Sequence, residues 1–165
     1  MPSPKDNMSI FDRIAAGVGK LFASKTNVES NVLIELFGPD GQRKDVREIH
    51  NTVTTAGKAG AADQVLAAPT LPKPGWMAVG TGSPAATLLG TEIDRNALTT
   101  KTRSTNVVTM VGDWAAGDAT GALTEAGVFD VVTANTVNMW MSTSFSVINK
   151  GAADTLKITW TLTFA

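Results

Sequence analysis

The chain of 165 residues has no cysteine, no tyrosine and a single histidine. Without cysteine, disulfides and thiolate metal sites are excluded. With His50 alone, neither a two-histidine metal site nor a Ser-His-Asp arrangement is available, so His50 is not read as catalytic. No apolar run approaches the eighteen residues of a membrane-spanning helix. Neither sign of charge dominates, with 14 Lys and Arg against 15 Asp and Glu, which removes any general attraction to nucleic acid or anionic membrane. Asp12 and Arg13 interrupt the first apolar stretch, so no secretory leader is expected. The expectation is a soluble protein made in the cytoplasm, with no metal and no cofactor.

What is present is 43% hydrophobic residues and an abundance of Thr, Ala, Val and Gly. That content suits one globular domain. Residues 1–30 read as an N-terminal arm and residues 31–165 as a single β-rich domain. The stretch that organises the domain is the last, residues 155–164. Leu156, Ile158, Trp160, Leu162 and Phe164 fall on one face at period two, and Thr155, Lys157, Thr159, Thr161 and Thr163 on the other. This is an antiparallel strand with one dry and one wet face, about 33 Å long at roughly 3.3 Å per residue.

Ahead of it, a polar tail over 1–7 leads to a helix over 9–22, capped by Ser9 with Asp12 three residues on. Ile10, Phe11, Ile14, Val18, Leu21 and Phe22 form its apolar stripe. Gly17 and Gly19 each weaken it by about 1 kcal/mol relative to Ala. Such a helix needs a surface: the chain's own sandwich, a partner subunit or, least favoured because its polar face is not rich in Lys and Arg, a membrane surface. Residues 31–37 and 42–50 predict a hairpin around Gly38-Pro39-Asp40-Gly41, its second arm dense in charge as an edge strand requires. Thr54 or Thr55 caps a small-residue helix over 56–67 that suits close packing on the core. Three prolines make 68–75 an extended connector into a short strand, Trp76-Met77-Ala78-Val79. Residues 88–98 carry Glu92 and Arg95, able to pair if the segment makes a helical turn. Strands are expected over 99–104, 106–114 and 137–148, the last with Val137, Met139, Met141, Thr143, Phe145 and Val147 on one face, while 123–132 sets Glu125 in apolar company.

Several local motifs invite a chemical reading. Gly57-Lys58 lacks the upstream Gly and the following Ser or Thr of a phosphate loop, and Gly80-Thr81-Gly82 runs into Ser83-Pro84 where a dinucleotide site needs a helix. Asp113 and Asp118 offer calcium oxygen ligands at a spacing that fits no EF-hand. Glu92, Arg95 and Glu125 sit among apolar neighbours. They read as a structural charge cluster, the alternative being a paired-carboxylate hydrolase. Trp76, Trp114, Trp140 and Trp160 could line a sugar groove only if exposed.

The ordered series Trp76-Met77-Ala78-Val79-Gly80-Thr81-Gly82, Glu92 with Arg95, Leu123-Thr124-Glu125-Ala126-Gly127-Val128-Phe129, Asn149-Lys150-Gly151 and Asp154 to Leu162 resembles small virion structural proteins of tailed bacteriophages. The likeness covers residue 54 to the end. The fold expected is α+β and mainly β, an antiparallel β-sandwich, jelly-roll-like, with one small-residue helix and the N-terminal helical arm. The resemblance implies a non-enzymatic protein of the virion, a capsid decoration or cement protein that binds the major capsid protein and copies of itself as a dimer or trimer. The contacts expected are Ile10, Phe11, Ile14, Val18, Leu21, Phe22, Arg43, Lys44 and Arg47. The alternatives are a tail, baseplate or fibre-attachment subunit, and a carbohydrate-binding module for host glycan.

Overall fold

The computed structural model describes residues 28–165, so the helix expected over 9–22 and its apolar stripe lie outside the described residues. Along the chain come β1 (Val28–Phe37), β2 (Arg43–His50), β3 (Thr52–Val53), α1 (Thr55–Asp63), β4 (Trp76–Gly80) and β5 (Glu92–Ala97). They are followed by β6 (Thr100–Ser104), β7 (Val107–Trp114), β8 (Gly121–Phe129), β9 (Met139–Lys150) and β10 (Thr155–Phe164). Two five-stranded antiparallel sheets form, in the orders β2-β1-β10-β7-β6 and β3-β9-β8-β4-β5. They pack into a β-sandwich, as the alternating pattern requires.

The last strand is central. β10 pairs with β1 on one side and β7 on the other, with Ile158 opposite both Ile34 and Gly112. Leu156, Ile158, Trp160 and Leu162 point into the core beside Val32, Ile34 and Leu36 of β1 and Met110 and Trp114 of β7. The facing sheet supplies Met77, Val79, Leu123, Val128, Met141 and Ile148. Burying the four β10 side chains is worth about 6–12 kcal/mol by area, an upper bound before ordering entropy. Phe164, at the strand's end, stays 36% exposed.

The small-residue helix is α1, shorter than the sequence predicts. Thr54 caps it by accepting from Gly57 N at 3.0 Å. Gly57 and Gly60 are its buried positions, one against the Trp140 carbonyl and the other against the Trp140 indole. Beyond it, Asp63 accepts from Thr70 N at 2.9 Å and Leu71 N at 2.9 Å, folding the proline-rich connector back on the helix end.

Two expectations need correction. Residues 92–97 form a strand where a helical turn is read from the Glu-Arg spacing. In β9 the expected single face does not run through: Val137 precedes the strand and is exposed, Val147 is 49% exposed, and Ile148 is buried instead. The cause is a pair of register shifts against β8, where Leu123 pairs with Ile148 but Glu125 with Ser144, and Val128 with Met141 but Phe129 with Met139. Each irregularity breaks the period of two. Met139 thereby faces out with Phe129, Ala78 and Leu89, a second small core on the far side of its sheet.

Candidate functional site

The buried charges lie on that far side, and a bulge puts them there. β4 pairs Val79 with Asp94 but Gly80 with Glu92, leaving Ile93 as the extra residue. Residues three apart in a regular strand point to opposite faces; the extra residue returns Arg95 to the face of Glu92. Both side chains are almost wholly buried and meet at two points, Nε to Oε1 at 2.8 Å and Nη2 to Oε2 at 2.7 Å. Arg95 also donates to Val131 O at 2.9 Å and lies 3.7 Å above the Phe129 ring. Glu92 accepts in addition from Asn135 N at 3.1 Å. The pair thus fastens the β8–β9 connection.

Glu125 is engaged elsewhere. Its carboxylate, fully buried, accepts three backbone N–H groups: Gly82 at 2.9 Å, Gly90 at 2.8 Å and Thr91 at 2.7 Å. Thr124 Oγ1 donates to Gly82 O at 2.7 Å. A side chain on Gly80 would collide with Glu125 and with the Thr91 carbonyl. The Gly80-Thr81-Gly82 run therefore makes room for a carboxylate of the protein itself. The expected charge cluster is two networks, Glu92 with Arg95 and Glu125 with its loop, each holding a segment onto the sheet.

The cations expected at a partner surface are paired within the chain. Arg43 donates to Glu35 at 3.2 Å, Lys44 to Asp154 at 2.7 Å, and Arg47 to Asp45. Arg47 and Asp45 sit opposite the core residues Ile34 and Leu36, so they are inward-pointing charges on the edge strand β2, a device that blocks wrong strand pairing. Lys44 is the residue passed over at the β1–β2 register shift. These ion pairs secure the edge, and the Arg43 and Lys44 side chains stay about half exposed, at 55% and 48%.

Around Asp154 the structure gathers more charge. Lys150, 2% exposed, donates to Ala115 O at 3.0 Å and Asp154 O at 2.7 Å, and burial pulls its ammonium below the usual lysine range. The Lys44 hydrogen bond, followed by that of Gly151 N–H, holds the Asp154 carboxyl below its ordinary value. Burial raises that of Asp94.

The remaining candidates fall to structural roles or to the surface. Trp114, Trp140 and Trp160 are buried, so none of them is a sugar platform, and Trp76 is half-buried against the second small core. His50 is exposed at the end of β2. Asp113 accepts from Thr99 Oγ1. Among the described residues no group of three or more His, Cys, Asp or Glu side chains converges as a metal site.

Two surfaces stand apart from these networks. The first is the outer face of the β2-β1-β10-β7-β6 sheet, where register sets side chains in rows across five strands. One row is Glu48, Leu33, Thr159, Val111 and Thr100; the next is His50, Asn31, Thr161, Thr109 and Thr102. A third runs Glu29, Thr163, Val107 and Ser104, and Val46, Glu35, Lys157 and Asp113 form a charged row at the opposite margin. Across β1, β10, β7 and β6 the two middle rows carry no charge. The second surface is an apolar groove of about 380 Å³ beside α1, between the ends of the two sheets, with Val28 and Phe164 at its margin.

The wet face of β10 is legible from its alternate threonines. That β1, β7 and β6 extend it into a plane requires the strand order, which alternation within one strand does not contain. No family model, curated protein or solved structure matches the chain.

Proposed function

We propose that the chain is a non-enzymatic structural protein of a phage virion, a decoration or cement protein that lays the outer face of its first sheet on an assembled capsid and ties neighbouring capsid subunits together. The observation that carries this reading is the uncharged face of Leu33, Thr159, Val111, Asn31, Thr161 and Thr109, half-buried or exposed, which no described residue covers. A threonine plane loses little on desolvation because each hydroxyl donates or accepts as its partner requires. The charged margin at Glu35, Lys157 and Asp113 sets orientation on the partner. The resemblance of the ordered motifs to those of tailed-phage virion proteins points to the same class.

Size argues for several copies. Five strands at about 4.8 Å and four alternate rows at about 6.7 Å give a face on the order of 600 Å². Stable pairwise complexes bury about 800 Å² on each partner. A lone copy therefore holds weakly, and a dimer or trimer holds through multivalency. The buried charges take no part in the function beyond fastening the loops that keep the sandwich rigid.

Co-sedimentation with heads assembled in the absence of this protein tests the reading. The wild-type chain should pellet with the heads and raise their resistance to heat. A Thr161→Lys variant, with its fold checked by circular dichroism, should stay in the supernatant. If the wild type itself does not pellet with heads, decoration is wrong and a tail or baseplate position takes its place.

A further inference from the structure

We propose that the groove beside α1 is the seat of the chain's own N-terminal segment, residues 10–22, whose apolar stripe it receives. Its floor is Ala61, Val108, Met110, Trp140, Met141 and Leu162, and no acidic residue lines it. Val28 and Phe164 pair across β1 and β10 at its margin and remain 39% and 36% exposed, although both belong to central strands. Large apolar side chains left open at the end of a sandwich call for a cover.

The chain itself supplies one at the right place. Val28 lines the groove, and the stripe of Ile10, Phe11, Ile14, Val18, Leu21 and Phe22 ends six residues before it. The five intervening residues span at most about 17 Å, enough to turn back and too few to carry the segment far away. So short a tether gives an effective concentration in the millimolar range or above, which favours the chain's own segment over that of another copy or a free apolar ligand. Gly17 and Gly19 lower the helix propensity of this sequence, so its apolar stripe gains most from a surface to pack on. Lys58, Lys73 and Lys101 stand on the groove wall, where lysine stems can lie on apolar surface, and Lys101 Nζ donates to Pro74 O at 2.6 Å. This seat is independent of the virion reading, and the six apolar residues expected at a partner are then covered within the chain.

The lack of native cysteine makes a direct test available. A full-length Leu21→Cys, Ala61→Cys variant is oxidised at low concentration, alongside a control pair, Leu21→Cys with Asp40→Cys at the far end of the sandwich. Disulfides need Cα atoms within about 7 Å. The expected result is a cross-link within one chain, about tenfold more abundant in the first pair than in the control. Equal yields in the two pairs overturn the proposal; a product of twice the chain's mass also overturns it and assigns the groove to a second copy. In addition, Ala61→Arg should speed chymotryptic cleavage at Phe11 and Phe22 about tenfold while circular dichroism stays that of the folded sandwich. An unchanged cleavage rate in that folded variant contradicts the seat.

Discussion

Gly60 lies so close to the Trp140 indole that the helix and the ring share the space a methyl group would occupy. The contact fixes α1 on β9, and the capping Thr54 seals it by donating to the Trp140 carbonyl at 3.0 Å. Glycine is a poor helix former, and its two buried positions in α1 are kept for approach distance.

Gly60→Ala is therefore expected to destabilise. Helix propensity alone gains about 1 kcal/mol, but overpacking against a buried indole costs about 1–3 kcal/mol. Urea unfolding should show a lower midpoint at unchanged slope. A variant more stable than wild type contradicts the packing described.

Arg95 and Glu92 behave as one unit. Removing either partner strands a buried charge, and Arg95→Ala should cost about 3–5 kcal/mol. A Glu92→Leu, Arg95→Met double variant should cost clearly less than the sum of the two single replacements, since no charge is left unpaired. Thermal unfolding of the three variants measures the coupling. Strict additivity excludes it.

Glu125→Ala leaves three N–H donors, on Gly82, Gly90 and Thr91, without an acceptor. Each orphaned donor costs about 1–3 kcal/mol unless water reaches it, so the loop should open before the sandwich unfolds. Hydrogen exchange at these three amides should accelerate at least about tenfold, with the β10 amides unchanged.

Stability should depend on pH through two carboxylates of opposite sense. Asp154 has a depressed value, first through Lys44, so it stabilises the fold above the unfolded-state value of about 3.9 and loses that contribution as pH falls through its folded value. Lys44→Met should lower stability at pH 7, with the gap to wild type closing in acid. Asp94 has a raised value, first through burial, so its ionisation penalises the fold above that value. Asp94→Asn should raise the Tm at pH 7, and this gain should vanish as pH falls toward about 4. A gain that persists in acid contradicts the assignment.

Much of this architecture is legible in the residues, and what is not has a common cause. Strict alternation marks β10 and turn chemistry marks the β1–β2 connection, because each is a local property. The bulge at Ile93 and the shifts in β9 are invisible, since an extra residue disguises the period it interrupts. Glu92, Arg95 and Glu125 are recognisable as charges in apolar company. Their separation into two networks depends on which loop folds back on which strand. The threonine plane and the groove emerge only when four strands or both sheets are assembled.

Cross-linking of the protein mixed with assembled heads, using a lysine-reactive reagent and read by mass spectrometry, tests the proposed docking face most directly. Lys157 lies in a margin row of that face, whereas Lys58 and Lys73 line the groove. Links from Lys157 to the major capsid protein are expected, with none to it from Lys58 and Lys73. Links to capsid from Lys58 and Lys73 with none from Lys157 would contradict that docking face.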